Sequence, residues 1–209
     1  MIQAGRHFAP LNRRDALSCA AVSGALLALG GCERRGGDVP FQSIDVSGAD
    51  WGRDFRLQDA DGRTVQLADF RGRCVLLFFG FTQCPDVCPT ALSRAAAVMQ
   101  RLGAQATKLQ VIFVTVDPER DTPAVLREYT RAFHPSFIGL HADQATTASM
   151  AQSFKVFYQK VPTGGSYTMD HTATSYVFDP TGRLRLAVRH EQDAASLAAD
   201  ITRLLKESP

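Results

Sequence analysis

The 209-residue chain has no run of about 18 apolar residues, so no segment reads as a membrane-spanning helix. It has no basic stripe interleaved with aromatics, which removes the usual reason to expect a nucleic-acid partner. Excess charge is scarce too. The formal net charge is +2, and the three arginines and one aspartate before residue 32 account for all of it, leaving the rest of the chain near neutral. There is no internal repeat and no low-complexity tract. Cysteine is sparse, at five residues: Cys19, Cys32, Cys74, Cys84 and Cys88. What remains is 45% hydrophobic and 21% charged, ordinary for a single globular domain.

Cysteine chemistry depends on compartment, and the N-terminus addresses that. Arg6, Arg13 and Arg14 form a positive region ahead of a short, small-residue apolar segment, Ala16 to Gly30. Residues 1–31 therefore read as an export signal rather than a folded helix. Arg13-Arg14 with Leu17 close behind resembles a twin-arginine signal. Leu29-Gly30-Gly31-Cys32 resembles a bacterial lipoprotein cleavage site, after which Cys32 would be acylated and become the new N-terminus. More than one acyl chain would hold the protein on a membrane face. The expectation is an exported protein, lipid-anchored on the periplasmic face of a bacterial membrane. Cys19 leaves with the signal. Residues 32–50 mix charge, Gly, Pro and Ser without periodicity and read as a tether, leaving a folded domain over 51–207.

Within that domain, Phe55–Gln58 and Thr64–Leu67 alternate in polarity around Asp61-Gly62, a hairpin signal. Cys74 to Phe81 reads as a buried strand. A helix is expected from Thr90 to Leu102, with Leu92, Ala95, Ala96, Met99 and Leu102 on one stripe and Gly103 as its stop. Gln110 to Val116 reads as a second core strand parallel to the first. Thr122 then caps a helix with Pro123 in its first turn, running to about Phe133. A further helix is expected over Ala145–Phe154. Val161–Tyr167 reads as a hairpin or loop around Gly164-Gly165. Two strands, Thr174–Phe178 and Leu184–Val188, flank the turn Asp179-Pro180-Thr181-Gly182. An amphipathic helix from Asp193 to Leu205 closes the chain. This order gives a central mixed sheet flanked by helices, with an N-terminal β-hairpin and an antiparallel edge.

The chemistry concentrates at Cys84-Pro85-Asp86-Val87-Cys88, where the first core strand hands over to a helix. Backbone N–H groups and the positive end of the helix dipole favour a thiolate there. A dithiol at the end of the first βαβ strand is the arrangement of a thioredoxin-like domain. A structural disulfide is the plain alternative in an exported protein, but so small a closed loop constrains little unfolded-state entropy. The Cys-x-x-x-Cys spacing suits two sulfurs on one ion, and thiolates select Cu(I) or zinc over hard cations. A third ligand must come from elsewhere, and His171, just before the Thr174–Phe178 strand, is the best candidate. His7 lies in the signal, and His134, His141 and His190 read as ordinary. Met169 could offer sulfur, though packing is its simpler role. The Asp117–Pro123 segment follows a core strand, where ligand sites cluster, but is explained more simply as a loop shaped by Pro118, Asp121, Thr122 and Pro123.

Three motifs, in order, resemble the Sco/SenC family. They are Gly80-Phe81-Thr82-Gln83-Cys84-Pro85-Asp86-Val87-Cys88-Pro89-Thr90, Val116-Asp117-Pro118-Glu119-Arg120-Asp121-Thr122-Pro123 and Asp170-His171-Thr172. That resemblance spans roughly residues 40–205. It implies a thioredoxin-like fold and copper, Cu(I) and/or Cu(II), bound by Cys84, Cys88 and His171. It also implies a role in delivering copper to the copper A centre of cytochrome c oxidase. The implied partners are the copper A subunit, a thiol reductant and another copper chaperone. Two features depart from the family pattern: Cys74 opens the core strand where Val or Ile is expected, and the lipoprotein-type start replaces a membrane-spanning anchor. Cys74 is expected to pack as a small buried hydrophobe.

Two other readings use the same thiols. A thiol-disulfide oxidoreductase would reduce client cysteines, but proteins of thioredoxin type usually carry proline just before the facing strand, and His171-Thr172-Ala173-Thr174-Ser175 has none. A peroxidase would need a Pro-x-x-x-Thr-x-x-Cys loop. Here Thr82 lies two residues before Cys84, with no proline ahead of it.

Overall fold

Two seven-residue segments with no exposed side chain, Cys74–Gly80 and Leu109–Thr115, form the centre of the molecule. They lie parallel and in register, Cys74 opposite Leu109 through Gly80 opposite Thr115. Burial on both faces explains why both read as continuous apolar runs rather than as alternating strands. The structure is a computed structural model describing residues 40–207. The export signal (1–31), with Cys19 and His7, as well as Cys32 and the first part of the tether, lie outside the described residues.

In chain order the strands are β1 (Ile44–Asp45), β2 (Arg56–Gln58), β3 (Thr64–Gln66), β4 (Cys74–Gly80), β5 (Leu109–Thr115), β6 (Ile138–Leu140), β7 (Tyr158–Thr163), β8 (Ser166–His171), β9 (Ser175–Phe178) and β10 (Leu184–Val188). The α-helices are α1 (Val87–Leu102), α2 (Pro123–Phe133), α3 (Gln144–Ser153) and α4 (Ala194–Glu207). Six strands make one sheet in the order β1-β10-β9-β4-β5-β6. β4, β5 and β6 run parallel, while β9 pairs antiparallel with β4 and carries β10 and β1 outward. β2–β3 and β7–β8 are separate hairpins. The mixed sheet, its flanking helices and the N-terminal hairpin match the expected class.

Local chemistry accounts for most boundaries. Thr122 Oγ1 accepts the Val125 N–H and Pro123 occupies the first position of α2, as expected of a cap followed by proline. The β9–β10 turn is held by Asp179, whose buried carboxylate accepts the Thr181 and Arg183 N–H groups and pairs with Arg183 and Arg185. Gly182 there has φ +74°, a conformation open to glycine.

Four differences from the sequence reading have physical causes. First, α1 begins at Val87 rather than Thr90, with Cys88 and Pro89 inside its first turn. Proline is tolerated there because the first N–H groups of a helix have no intrahelical partner. Its inward stripe also takes Val98, while Ala96 is only half-buried. Second, residues 41–46 belong to the domain. β1 pairs with β10, and the Ser43 and Gln42 N–H groups donate to the buried Asp200 of α4 at 2.8 and 2.9 Å. Third, β6 completes the parallel edge; at three residues it is too short to show a period. Fourth, His171 is not in a loop ahead of a strand. It is the last residue of β8, opposite Tyr158 of β7.

Candidate metal centre

β4 ends at Gly80, and the next eight residues lead through Phe81-Thr82-Gln83 and Cys84 into the first turn of α1. Gly80 is required by space: a Cβ there would lie 2.6 Å from Cys88 Sγ and 2.8 Å from the Phe113 ring. Real Cβ atoms do not approach so closely. The missing side chain therefore makes the seat for the Cys88 sulfur. Cys88 is fully buried and Cys84 is half-buried, and both are free thiols.

Helical geometry brings the pair together. Cys84 Sγ accepts the Cys88 N–H at 3.5 Å, so the first sulfur lies over the N-terminal turn that carries the second. The Cys88 S–H donated to Cys84, helped by backbone N–H groups, holds the Cys84 thiol well below its ordinary range. The same hydrogen bond, and then burial, pushes Cys88 up. Negative charge in the pair is thus favoured on the more exposed sulfur.

His171 arrives from the other side, on the hairpin. Its Nε2 lies 3.4 Å from Cys88 Sγ, and its Nδ1 lies 3.1 Å from the Thr172 carbonyl. An Nδ1–H donated to that carbonyl leaves Nε2 bare towards the sulfurs, the form a ligand needs. Phe78 and Phe81 meet the imidazole edge-on, with centroids at 5.9 and 5.8 Å, and fix the ring plane. One donor atom each from Cys84, Cys88 and His171 lies within 4.8 Å of the others, and the group has these three members among the described residues. Sulfurs about 2.3 Å and a nitrogen about 2.0 Å from a common ion would lie at such separations.

A polar layer behind these groups escaped sequence reasoning. Asp121, buried between strand and loop, accepts Thr82 Oγ1 (2.6 Å), the Thr82 N–H (3.0 Å) and Thr115 Oγ1 (2.6 Å). It anchors the cysteine loop to β5. Arg120 pairs with the buried Asp117 at 2.5 Å and donates to the Gln83 side chain and the Tyr167 carbonyl. Asp117–Pro123 is therefore more than a shaped turn. The only sequence signal was its density of charge after a core strand. Of the other positions weighed, Met169 is buried in the core, His134 bonds Ser136, and Cys74 lies at the far end of β4, fully buried. His141 and His190 are not members of the cluster.

A dithiol at a strand-to-helix corner of a mixed sheet, faced by a histidine, defines a thioredoxin-like protein equipped to hold a soft metal ion. Comparison with known proteins narrows the class. The SCO1/SenC family profile matches residues 45–206, and the chain belongs to that family. It is 38% identical over 135 residues to a "SCO2-like protein" of Rickettsia felis, covering 63% of this chain and 66% of that one. It is 39% identical over 171 residues to "Protein SCO2 homolog, mitochondrial" of Bos taurus, covering 80% of this chain and 64% of that one. The chain thus spans just under two thirds of the length of these relatives. The structure of Bradyrhizobium japonicum ScoI with copper bound superposes with a TM-score of 0.68 at 42% identity, covering 75% of this chain and 99% of that one. The fold is thioredoxin-like, as the sequence resemblance implied. No described helix is long and apolar enough to cross a membrane.

Proposed function

We propose that the protein is a copper carrier that binds copper, Cu(I) and/or Cu(II), through Cys84 Sγ, Cys88 Sγ and His171 Nε2 and delivers it to the copper A centre of cytochrome c oxidase. The observation that carries this reading is the convergence of two sulfurs and a bare imidazole nitrogen at one corner. Two thiolates and an imidazole suit a soft or borderline ion, and copper is taken over zinc on the family. Membership of a family in which the Bradyrhizobium protein holds copper supports the choice. Copper here is cargo, and the protein's part is to present and withdraw ligands.

The resting proton arrangement suits loading. Cys84, already a thiolate and partly exposed, makes first contact. Cys88 then gives up its proton, and His171 closes from the hairpin, its orientation held by the Thr172 carbonyl. Acid protonates both ligand types, so affinity falls as pH drops. Joining Cys84 to Cys88 as a disulfide passes two electrons to an external oxidant and two protons to solvent, and abolishes two ligands. An external dithiol that becomes the disulfide in its turn must restore them, so a thiol reductant is a required partner. A second copper chaperone is the expected donor of cargo. Acylation of Cys32 would hold the domain at the periplasmic face of the membrane, with the residues before Phe41 as the link.

The alternative, a reductase of client cysteines, is favoured by one observation: Cys84 is partly exposed, and its sulfur accepts the Cys88 N–H at the start of α1. Copper titration of the reduced protein beside Cys84→Ser and His171→Ala separates the two. Stoichiometric binding, lost in Cys84→Ser and weakened in His171→Ala, supports the carrier. A reduced protein that ignores copper but rapidly reduces model disulfides establishes the reductase instead. Mass spectrometry of the mature N-terminus tests the anchor, an unmodified Cys32 ruling it out.

A further inference from the structure

We infer that Arg120, Asp117 and Tyr167 act as positioning residues that hold the β7–β8 hairpin so that His171 faces the dithiol. This rests on the copper reading of the site but concerns a part of it with no ligand. The hairpin is a separate two-stranded sheet, and such a unit is marginally stable on its own. Something must fix it against the cysteine loop. Strand geometry makes Tyr167 the handle. Tyr167, Met169 and His171 alternate with Thr168 and Asp170, so all three share the inward face of β8. Met169 is buried on that face, whereas Asp170 is exposed. Fixing the tyrosine therefore fixes the register and twist of the histidine two pleats away.

The fixing contacts are dense. Tyr167 donates its hydroxyl to Asp117 Oδ1 at 2.8 Å, and the Arg120 guanidinium lies 3.6 Å from the Tyr167 ring centroid. Arg120 Nη1 donates to the Tyr167 carbonyl at 2.8 Å and to Gln83 Oε1 at 3.0 Å, while its Nε pairs with Asp117 Oδ2. Its guanidinium also lies 5.9 Å from the ring of Phe81, which meets the imidazole edge-on. One cation thus touches the loop of Cys84, the strand of His171 and the aromatic wall between them. Asp117 is 1% exposed, so the pair is desolvated, and the planar fork of arginine is matched to several fixed acceptors as lysine is not. Lys160 stacks on the outer side of Tyr167 and bonds Glu119 at 2.6 Å, tying the other strand to the same loop.

The test uses Tyr167→Phe, which keeps the ring and removes only the hydroxyl, and Arg120→Lys, which keeps the charge and removes the fork. Two readouts are needed. In the reduced, copper-free protein, Phe78 and Phe81 impose ring-current shifts on the His171 ring protons. Both variants are expected to relax these towards a free imidazole, while methyl resonances of β4 and β5 stay put. In copper titrations, Tyr167→Phe is expected to weaken Cu(II) binding about ten-fold, the effect of losing one hydrogen bond to a charged group. The same change in a His171→Ala background is expected to add nothing. Unchanged His171 shifts in both folded variants, or equal weakening with and without His171, overturn the inference. Shifts that move in a protein that binds no copper leave the clamp standing and remove only the copper reading.

Discussion

The two ends of β4 each carry a buried cysteine environment, and they behave in opposite ways. At the start, Cys74 sits fully buried, and burial, with the Asp179 carboxylate nearby, pushes its thiol up to about 12. Beyond the other end, roughly 20 Å away along six residues of strand, Cys84 is held as a thiolate by a second thiol and by N–H groups of a helix start. One thiol is a small hydrophobe and the other a ligand. Burial is part of the difference, because Cys84 is half-buried while Cys74 and Cys88 are fully buried, and both buried thiols are pushed up. The rest is the set of donors that the corner supplies. A thiol becomes chemically available where backbone N–H groups lack other partners, and the interior of a β-ladder has none to spare.

The sharpest way to break that contrast is alkylation. Above its lowered pKa Cys84 is a thiolate, so iodoacetamide at pH 6–8 should label it at a nearly constant rate. At pH 7 Cys74 carries a thiolate fraction of about 10⁻⁵ and should stay unlabelled until the protein unfolds. Peptide mapping that found Cys74 labelled first in the native protein would reverse the assignment. Next in size comes a paired substitution. Cys88→Ser should lose copper binding with little need of other change. Cys74→Ser should keep copper binding and cost stability, about 1–3 kcal/mol, by leaving a hydroxyl in an apolar site. Chemical denaturation and copper titration of both variants decide it, and loss of copper binding in Cys74→Ser would show that the two ends are coupled.

The same contrast shows what the sequence made legible. The dithiol, β4 and β5, the Thr122–Pro123 cap and the Asp179–Gly182 turn all rest on neighbours in sequence, so spacing and residue type suffice. Where partners are distant, spacing fails. β1 exists because Asp200 lies across from Ser43, 157 residues away, and nothing in a polar, glycine-containing segment announces that. The start of α1 is obscured because prolines at 85 and 89 bracket it, and only one of them is inside. His171 reads from sequence as a lone histidine near a strand, but its carrier hairpin is defined by pairing that begins at Tyr158, before any alternation is evident. The Arg120–Tyr167 stack brings together residues 47 apart, and its residue types are those of any solvated loop.

A third probe moves the corner itself. Gly80→Ala places a methyl group against Cys88 Sγ and the Phe113 ring. Overpacking of this kind costs about 1–3 kcal/mol, and the strain falls on the sulfur that must face the metal. The variant should therefore lose copper affinity as well as thermal stability. An unaltered affinity would mean that the corner yields elsewhere, and that Cys88 is less tightly seated than the contacts indicate.

The smallest effect tests the inert end by linkage. Because the folded pKa of Cys74 lies above its unfolded value of 9.0, the native state keeps a proton that the unfolded chain loses as pH rises. Native stability from this group is therefore whole below pH 9 and declines between pH 9 and about 12. The slope approaches 1.4 kcal/mol per pH unit, so relative to pH 8 the loss at pH 10 is about 1.4 kcal/mol. Cys74→Ala removes this contribution. Burial raises the pKa of Tyr176 as well, but that titration is common to both proteins and cancels in the difference. Urea unfolding at pH 8, 9 and 10 should therefore show the gap between wild type and Cys74→Ala narrowing as pH rises, because wild type alone loses the cysteine's share. Parallel curves would mean that Cys74 titrates in the native state as freely as in the unfolded chain, and the strand would then have two reactive ends rather than one.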